Sequence, residues 1–262
     1  MIGDRRFRVE GREKAHYVSP MPEGRVLELW RWPVKSMAGE RIHSTRVDAR
    51  GVGGDRTHAV LHEHKGEWKP LTAREAPRLL AWRASYPFAP DAGLHPEDPP
   101  YALVTAPDGG HVHRWDDPRL EAALSDDLGR PVRLLRDLAG IQDLERSVLI
   151  TVEATRAALA AELASELDLR RFRTNLHLDL DARAWAEGGW ERATLRFEHG
   201  AVLRLLHPCV RCAIPTRDPE TQQKWPDLLR HLDARHSTLF GINARVLQAG
   251  RIAAGEAVSI ET

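Results

Sequence analysis

The chain has 262 residues, is 42% apolar and 29% charged, and carries 38 basic against 38 acidic side chains. A chain of this length gives one large domain or two ordinary ones, and it hides roughly 70–75% of its unfolded surface. The charge balance argues against a disordered chain and against nucleic-acid binding by bulk charge, but it permits a local basic pocket. Two cysteines, Cys209 and Cys212, are too few for a disulfide scaffold or an iron–sulfur cluster. No signal peptide and no run of about 18 apolar residues is present, so a cytoplasmic protein without a membrane span is expected.

Residues 1–23 are polar and aperiodic, which predicts a flexible arm. From Val26 the run VLELWRWPV predicts a strand stopped by Pro33, with Val26, Glu28, Trp30 and Trp32 on one face. Short β-like runs follow at Ile42–Val47, Thr57–His62, Leu80–Tyr86, Tyr101–Thr105 and His111–Trp115, separated by Gly, Pro and Asp clusters. That spacing predicts a sheet-rich, barrel-like first half, 24–116. Thr72 and Glu75 have the spacing of a capping box, which predicts a short helix around Pro77. Asp117, Pro118 and Gly129 bracket a better-marked helix. The second half, 117–262, continues with strands PVRLLR and SVLITV and an Ala/Leu/Glu helix over Glu153–Leu167. Strands over Thr174–Leu180, Ala193–Phe197 and Val202–Leu206, a helix over Pro226–Ala234 and a terminal β-like stretch complete it. The fold class is mixed α+β and β-rich, with two barrel-like domains and peripheral helices.

Several motifs fail on inspection. Pro33-Val34-Lys35-Ser36 ends like a phosphate loop but lacks the glycines that let a backbone nest close on phosphate. Gly51, Gly53 and Gly54 begin like a dinucleotide fingerprint, yet Arg56 stands where the third glycine belongs, and turn chemistry explains them better. His95-Pro96-Glu97 and Pro208-Cys209-Val210-Arg211-Cys212 echo a zinc nucleobase deaminase, but His95 sits in a proline-rich loop over a hundred residues away. The pairs His62/His64 and His111/His113 share strand faces without a third ligand. The pair C-V-R-C remains. Its alternatives are half a zinc site, a thioredoxin-like redox pair or two core cysteines. Arg211 beside Cys212 favours the thiolate, the metal-binding form.

The segments LLHPCVRCAIPTRDPET and LFGINARVLQAGRIAAGEAV resemble the MOSC domain, the C-terminal domain of molybdenum cofactor sulfurase. RRFRTNLHLD resembles that family's Arg-Phe-Arg-Pro-Asn element, with Thr174 in place of proline. WRWPVKSMAGE and RGVGGDR resemble the N-terminal β-barrel domain that accompanies MOSC in the amidoxime-reducing molybdoenzymes. The matches run in order from about residue 25 to 260.

The resemblance implies a molybdenum cofactor, a molybdopterin whose dithiolene holds the metal, with Cys212 as the catalytic thiolate ligand to molybdenum. It implies cofactor binding by Lys35, Ser36, Arg56, Arg173, Asn175 and Arg211. Ser147, in the stretch Glu145-Arg146-Ser147 where relatives carry small hydroxyl residues, is a further candidate. Guanidinium and ammonium groups suit the pterin phosphate, and Ser36 and Asn175 can both donate and accept. Glu256 stands in place of a customary aspartate and is expected to be structural, and Cys209 is expected to be a non-ligand.

The activity implied is reduction of N-hydroxylated compounds such as amidoximes, hydroxylamines and N-hydroxy bases. The rival functions are a non-catalytic cofactor or sulfur carrier and a structural protein that kept the fold without metal. No FAD, NAD, pyridoxal phosphate or iron–sulfur site is expected in this chain. A separate flavin, ferredoxin-like or cytochrome electron donor would therefore be needed, and neither nucleic acid nor membrane is an expected partner.

Overall fold

The computed structural model describes residues 23–87, 94–140 and 147–261. The expected arm at 1–23 falls outside them except for Glu23, as do Glu145 and Arg146. Seven strands close into a barrel: β1 (Glu23–Arg31), β2 (Val148–Val152), β3 (Leu176–Leu180), β4 (Thr194–Phe197), β5 (Val202–Val210), β6 (Leu239–Gln248) and β7 (Ala257–Glu261). Their order is β3-β2-β6-β5-β4-β7-β1, and β1 pairs back onto β3. The β2/β3 pair is parallel and the other barrel pairings are antiparallel. Closure removes the open sheet edges that would otherwise need protection.

The alternation expected along β1 is broken. Val26 and Leu29 both reach the barrel core because the register shifts between Val26 and Glu28. A bulge of this kind adds one residue and turns the following side chains to the opposite face. The single strand expected at Ile42–Val47 is two, Glu40–Ile42 and Ser44–Asp48. The first pairs with β1 and the second with Gly250–Ala253.

A second core gathers Val34, Met37, Val60, Leu79, Trp82 and Trp115 with Leu120 and Leu124. Two three-stranded sheets cover it. One is His58–His64 with Glu67–Pro70 and Val132–Arg136, the other Arg83–Ser85 with Leu103–Thr105 and Val112–Arg114. Helix α1 (Pro118–Leu128) supplies Leu120 and Leu124. Asp117 caps it by accepting from the Arg119 N–H, and Gly129 ends it in the left-handed region. The two cores therefore interleave in the chain. β1 lies in the barrel, while α1 and Val132, beyond residue 116, pack with the first half.

Half of the capping box expected at Thr72 forms: its N–H and hydroxyl donate to Glu75 Oε2, while the Glu75 N–H donates to the Thr72 carbonyl and not to its hydroxyl. The short helix that follows, Pro77–Ala81, is a 3-10 turn with Pro77 in its first turn, where a missing N–H costs nothing. Helix α2 (Glu153–Glu162) stops well before Leu167, and α3 spans Pro226–His236. Both pack on a third core of Leu159, Leu167, Leu169, Phe172, Leu228, Leu232 and Phe240. Among the described residues, no helix is long and apolar enough to cross a membrane.

Candidate functional site

Two segments that follow β1 are held side by side by backbone bonds. The Lys35 N–H donates to the His58 carbonyl at 2.8 Å and the Arg56 N–H to the Trp32 carbonyl at 2.7 Å. The Trp32 N–H returns a 2.8 Å bond to Asp55 Oδ1. Together they present Lys35, Ser36 and Arg56 on one wall of a cleft of about 290 Å³. The barrel forms the other wall with Ser147 before β2, Arg173 after the 3-10 turn Leu169–Phe172, and Arg211 after β5. Cys209 and Cys212 both border this cleft.

Three of these residues sit in the left-handed region: Ser36 (φ 70°), Arg56 (φ 50°) and Arg173 (φ 55°). That conformation costs a non-glycine residue roughly 1–2 kcal/mol, and such outliers gather where packing forces a side chain toward a ligand. Gly54 (φ 76°) makes the approach to Arg56 possible. A Cβ there would lie 2.6 Å from the Tyr86 ring.

The electrostatics are those of an anion site. Arg173 Nη1 donates to the Met37 carbonyl at 2.6 Å, and its guanidinium lies 4.4 Å from the Trp32 ring centroid. Its Nη2 is buried with no hydrogen-bond partner. Arg211 Nη2 donates to the Phe172 carbonyl at 2.7 Å, while its Nε is likewise buried and unpartnered. Arg56 pairs with Asp55 and donates through Nη2 to the Arg173 carbonyl at 3.3 Å. Burial first, and then the neighbouring Arg56 and Arg211, push Arg173 down to about 9, against the pull of Asp55. Like charges held together away from water favour whatever anion can enter. The described residues that line the cleft include no carboxylate.

Two of the expected residues make contacts that their sequence positions do not show. Asn175 does not line the cleft: it is 1% exposed, and its amide is already engaged. Oδ1 accepts from the Leu149 N–H and from Arg56 Nη1, and Nδ2 donates to the Trp30 carbonyl. It braces Arg56 instead of offering itself to a ligand. Arg211, adjacent to Cys212 in sequence, donates its Nη1 to Cys209 Sγ at 3.0 Å.

Thr174, in the place of the family element's proline, ties its turn. The buried hydroxyl lies 3.0 Å from Thr151 Oγ1 and within reach of the Leu149 and Leu176 carbonyls, and Trp32 Nε1 donates to its carbonyl at 2.9 Å. Glu256 pairs with His199 away from the cleft, and burial raises its carboxyl above the ordinary value. His95 is exposed and faces Glu97, so it offers nothing to the two thiols.

The family model of the MOSC domain matches residues 120–259, and that of the MOSC N-terminal beta barrel domain matches residues 23–110. The chain belongs to the MOSC family. MOSC domains are associated with molybdenum cofactor binding. No curated protein matches this MOSC protein. Among solved structures, the YUAD protein from Bacillus subtilis is 14% identical, with a TM-score of 0.48, over 91% of this chain and 95% of that one. YiiM from Geobacillus stearothermophilus is 15% identical, with a TM-score of 0.35, over 44% of this chain and 54% of that one. At such identities and scores they add nothing to the reading of the site.

This MOSC protein also has cleft residues that spacing alone does not single out. Arg74 lies just past the capping threonine, and Asn243 of β6 accepts from the Ser147 hydroxyl at 3.3 Å. Asn243 falls inside the segment LFGINARVLQ, but nothing in the alternation of that strand separates it from an ordinary surface amide.

Proposed function

We propose that this protein binds a molybdenum cofactor in the cleft and uses it to reduce N-hydroxylated compounds to their N–H products. Amidoximes, hydroxylamines and N-hydroxy bases are the substrate class. The observation that carries this reading is the meeting of clustered guanidinium groups with two thiols in one cleft. A pterin phosphate calls for the first, and a metal already bound through sulfur accepts the second. The fit is supported by the orphaned Arg173 Nη2 and Arg211 Nε, buried donors that an anionic ligand would satisfy.

When bound, the cofactor supplies the two-electron chemistry that converts N–OH and two protons to N–H and water. Cys212 would ligate the metal through Sγ. Arg56, Arg173, Arg211 and Lys35 would neutralise the phosphate. Ser36 Oγ accepts from the Ala73 N–H at 3.0 Å, so its hydroxyl proton is left to donate to a ligand oxygen. Asn175 would act as a positioning residue for Arg56, and Ser147 with Asn243 would border the pterin. With two cysteines in these 262 residues, and one assigned to the metal, no cluster can be held here. A separate carrier protein would therefore deliver electrons through a small, charge-guided interface.

The test is turnover of benzamidoxime, with a chemical reductant, by protein made in a cofactor-competent host. Benzamidine should form with the loaded protein and not with NADH alone. Loaded protein that leaves benzamidoxime untouched would overturn the reductase reading and assign the cleft to a cofactor carrier.

A further inference from the structure

Away from the cleft, two helices end against each other. Helix α2 finishes on Glu162 and α3 on His236, five residues after His231. His231 Nε2 and His236 Nε2 lie 2.6 and 2.7 Å from the same Glu162 Oε2. Among the described residues, this is the one group of three His, Cys, Asp or Glu side chains whose ligand atoms all lie within 4.8 Å of one another. The other histidine pairs meet carboxylates singly, as His62 does Glu75 at 3.6 Å and His111 does Asp108 at 3.4 Å.

We propose that Glu162, His231 and His236 form a binding site for a divalent transition-metal ion of the zinc class. Two neutral imidazoles and one carboxylate are a donor set that zinc takes with a coordination position left for water. The electrostatics point the same way, because two helix C-termini converge here and each carries the negative end of its dipole.

The geometry is also preorganised. Leu159 of α2 and Leu228 and Leu232 of α3 are fully buried in one core, and Trp185 stacks on the His236 ring at 3.6 Å between centroids. Tetrahedral ligation with bonds of about 2.0–2.1 Å separates ligand atoms by about 3.3 Å. Each His–Glu distance therefore needs to open by less than about 1 Å, and all three ligand atoms already lie within 4.8 Å of one another. Side-chain exposures of 23% and 15% for the histidines and 28% for Glu162 leave an entry path from solvent. An ion here would tie α2 to α3 across the core that contains Phe172, whose carbonyl anchors Arg211. The site is independent of the function proposed for the cleft.

The test uses the full chain, stripped with a chelator and titrated with Co²⁺ and then Zn²⁺ at pH 7.5. The expected result is one tight site per chain, with visible cobalt d–d bands and no thiolate-to-cobalt charge-transfer band in the near ultraviolet. Zn²⁺ should also raise the thermal midpoint. H231Q/H236Q should lose about tenfold or more in affinity together with the thermal shift, and E162Q should do the same without altering either ring. C209S/C212S should bind cobalt as the wild type does. Unchanged binding in H231Q/H236Q and E162Q, a charge-transfer band lost with the cysteines, or no cobalt uptake at all would each overturn the proposal.

Discussion

The cleft of the two thiols has a neighbour of similar size. A hollow of about 340 Å³ shares Arg173 and Ile214 with it and is also rich in arginine. The two differ in how those arginines are partnered. In the hollow, Arg83 and Arg170 both hold Glu220, Arg170 also holds Asp168, Arg171 holds Asp218, and Arg41 holds Glu28. In the cleft, Arg173 and Arg211 lean on backbone carbonyls and keep buried N–H groups without partners. Volume and arginine count do not separate the two. The unpartnered Nε of Arg211 does, since Arg173 and its orphaned Nη2 border both.

The thiols are the other feature the hollow lacks, and removing one gives the largest expected effect. Cys212→Ala should abolish reduction of benzamidoxime while leaving most of the pterin bound, because one metal bond is lost and the phosphate contacts remain. Cys209→Ala should keep most of the activity, although the Arg211 side chain loses its Sγ contact. Kinetics set beside pterin content decide this, and full activity in Cys212→Ala would break the ligand assignment.

The arginine contrast can be measured directly. Arg173→Ala should weaken sulfate binding to the empty cleft by about 1.5–3 kcal/mol, the range for hydrogen bonds to charged groups. Arg170→Ala, which removes two solvent-screened pairs, should change it by less than about 1 kcal/mol. Calorimetry on the two variants should separate them. Equal losses would mean that the two walls do the same thing.

How much of this is legible in the sequence differs from place to place. Helix α1 is spelled out by Asp117, Pro118 and Gly129, each the residue its cap position prefers. The end of α2 is not. The chain turns at Ala164 (φ 48°), and the Ser165 N–H reaches back to the Ala160 carbonyl in the pattern of a glycine-terminated helix. An alanine gives no warning of that turn, which is imposed by drawing Leu167 and Leu169 into the third core. At the site, Lys35, Ser36, Arg56 and Arg173 are legible only through the order of family motifs, since each alone is an ordinary polar residue. The bracing role of Asn175 and the reach of Arg211 to Cys209 depend on side-chain direction across the fold, which local spacing does not encode.

The proton uptake of the cleft sharpens the same comparison. Burial first, and then the neighbouring Arg56 and Arg211, push Arg173 down to about 9, well below the ordinary arginine range. An anion restores the charged form, so sulfate binding should be flat below pH 8, weaken above pH 9 and take up a proton there. Between about 9 and that ordinary range the unfolded chain holds more protons than the folded one, so the stability cost of this buried charge is relieved as pH rises past 9. Calorimetry in buffers of different ionisation enthalpy would show the uptake, and its absence at pH 9.5 would show that Arg173 stays charged in the ligand-free cleft.

A smaller effect is expected behind the cleft. Thr174→Val keeps the shape and removes a hydroxyl bonded inside the barrel wall, so it should cost about 1–3 kcal/mol of stability by urea unfolding. A neutral substitution would show that the hydroxyl does not tie the turn that carries Arg173.

The most direct measurement is the molybdenum and pterin content of three proteins purified from one cofactor-competent host: the wild type, Arg170→Ala and Arg173→Ala. Stoichiometric molybdenum is expected in the first two and strongly depleted molybdenum in the third. Wild-type protein free of molybdenum, or Arg173→Ala loaded as fully as Arg170→Ala, would contradict the assignment of the cleft.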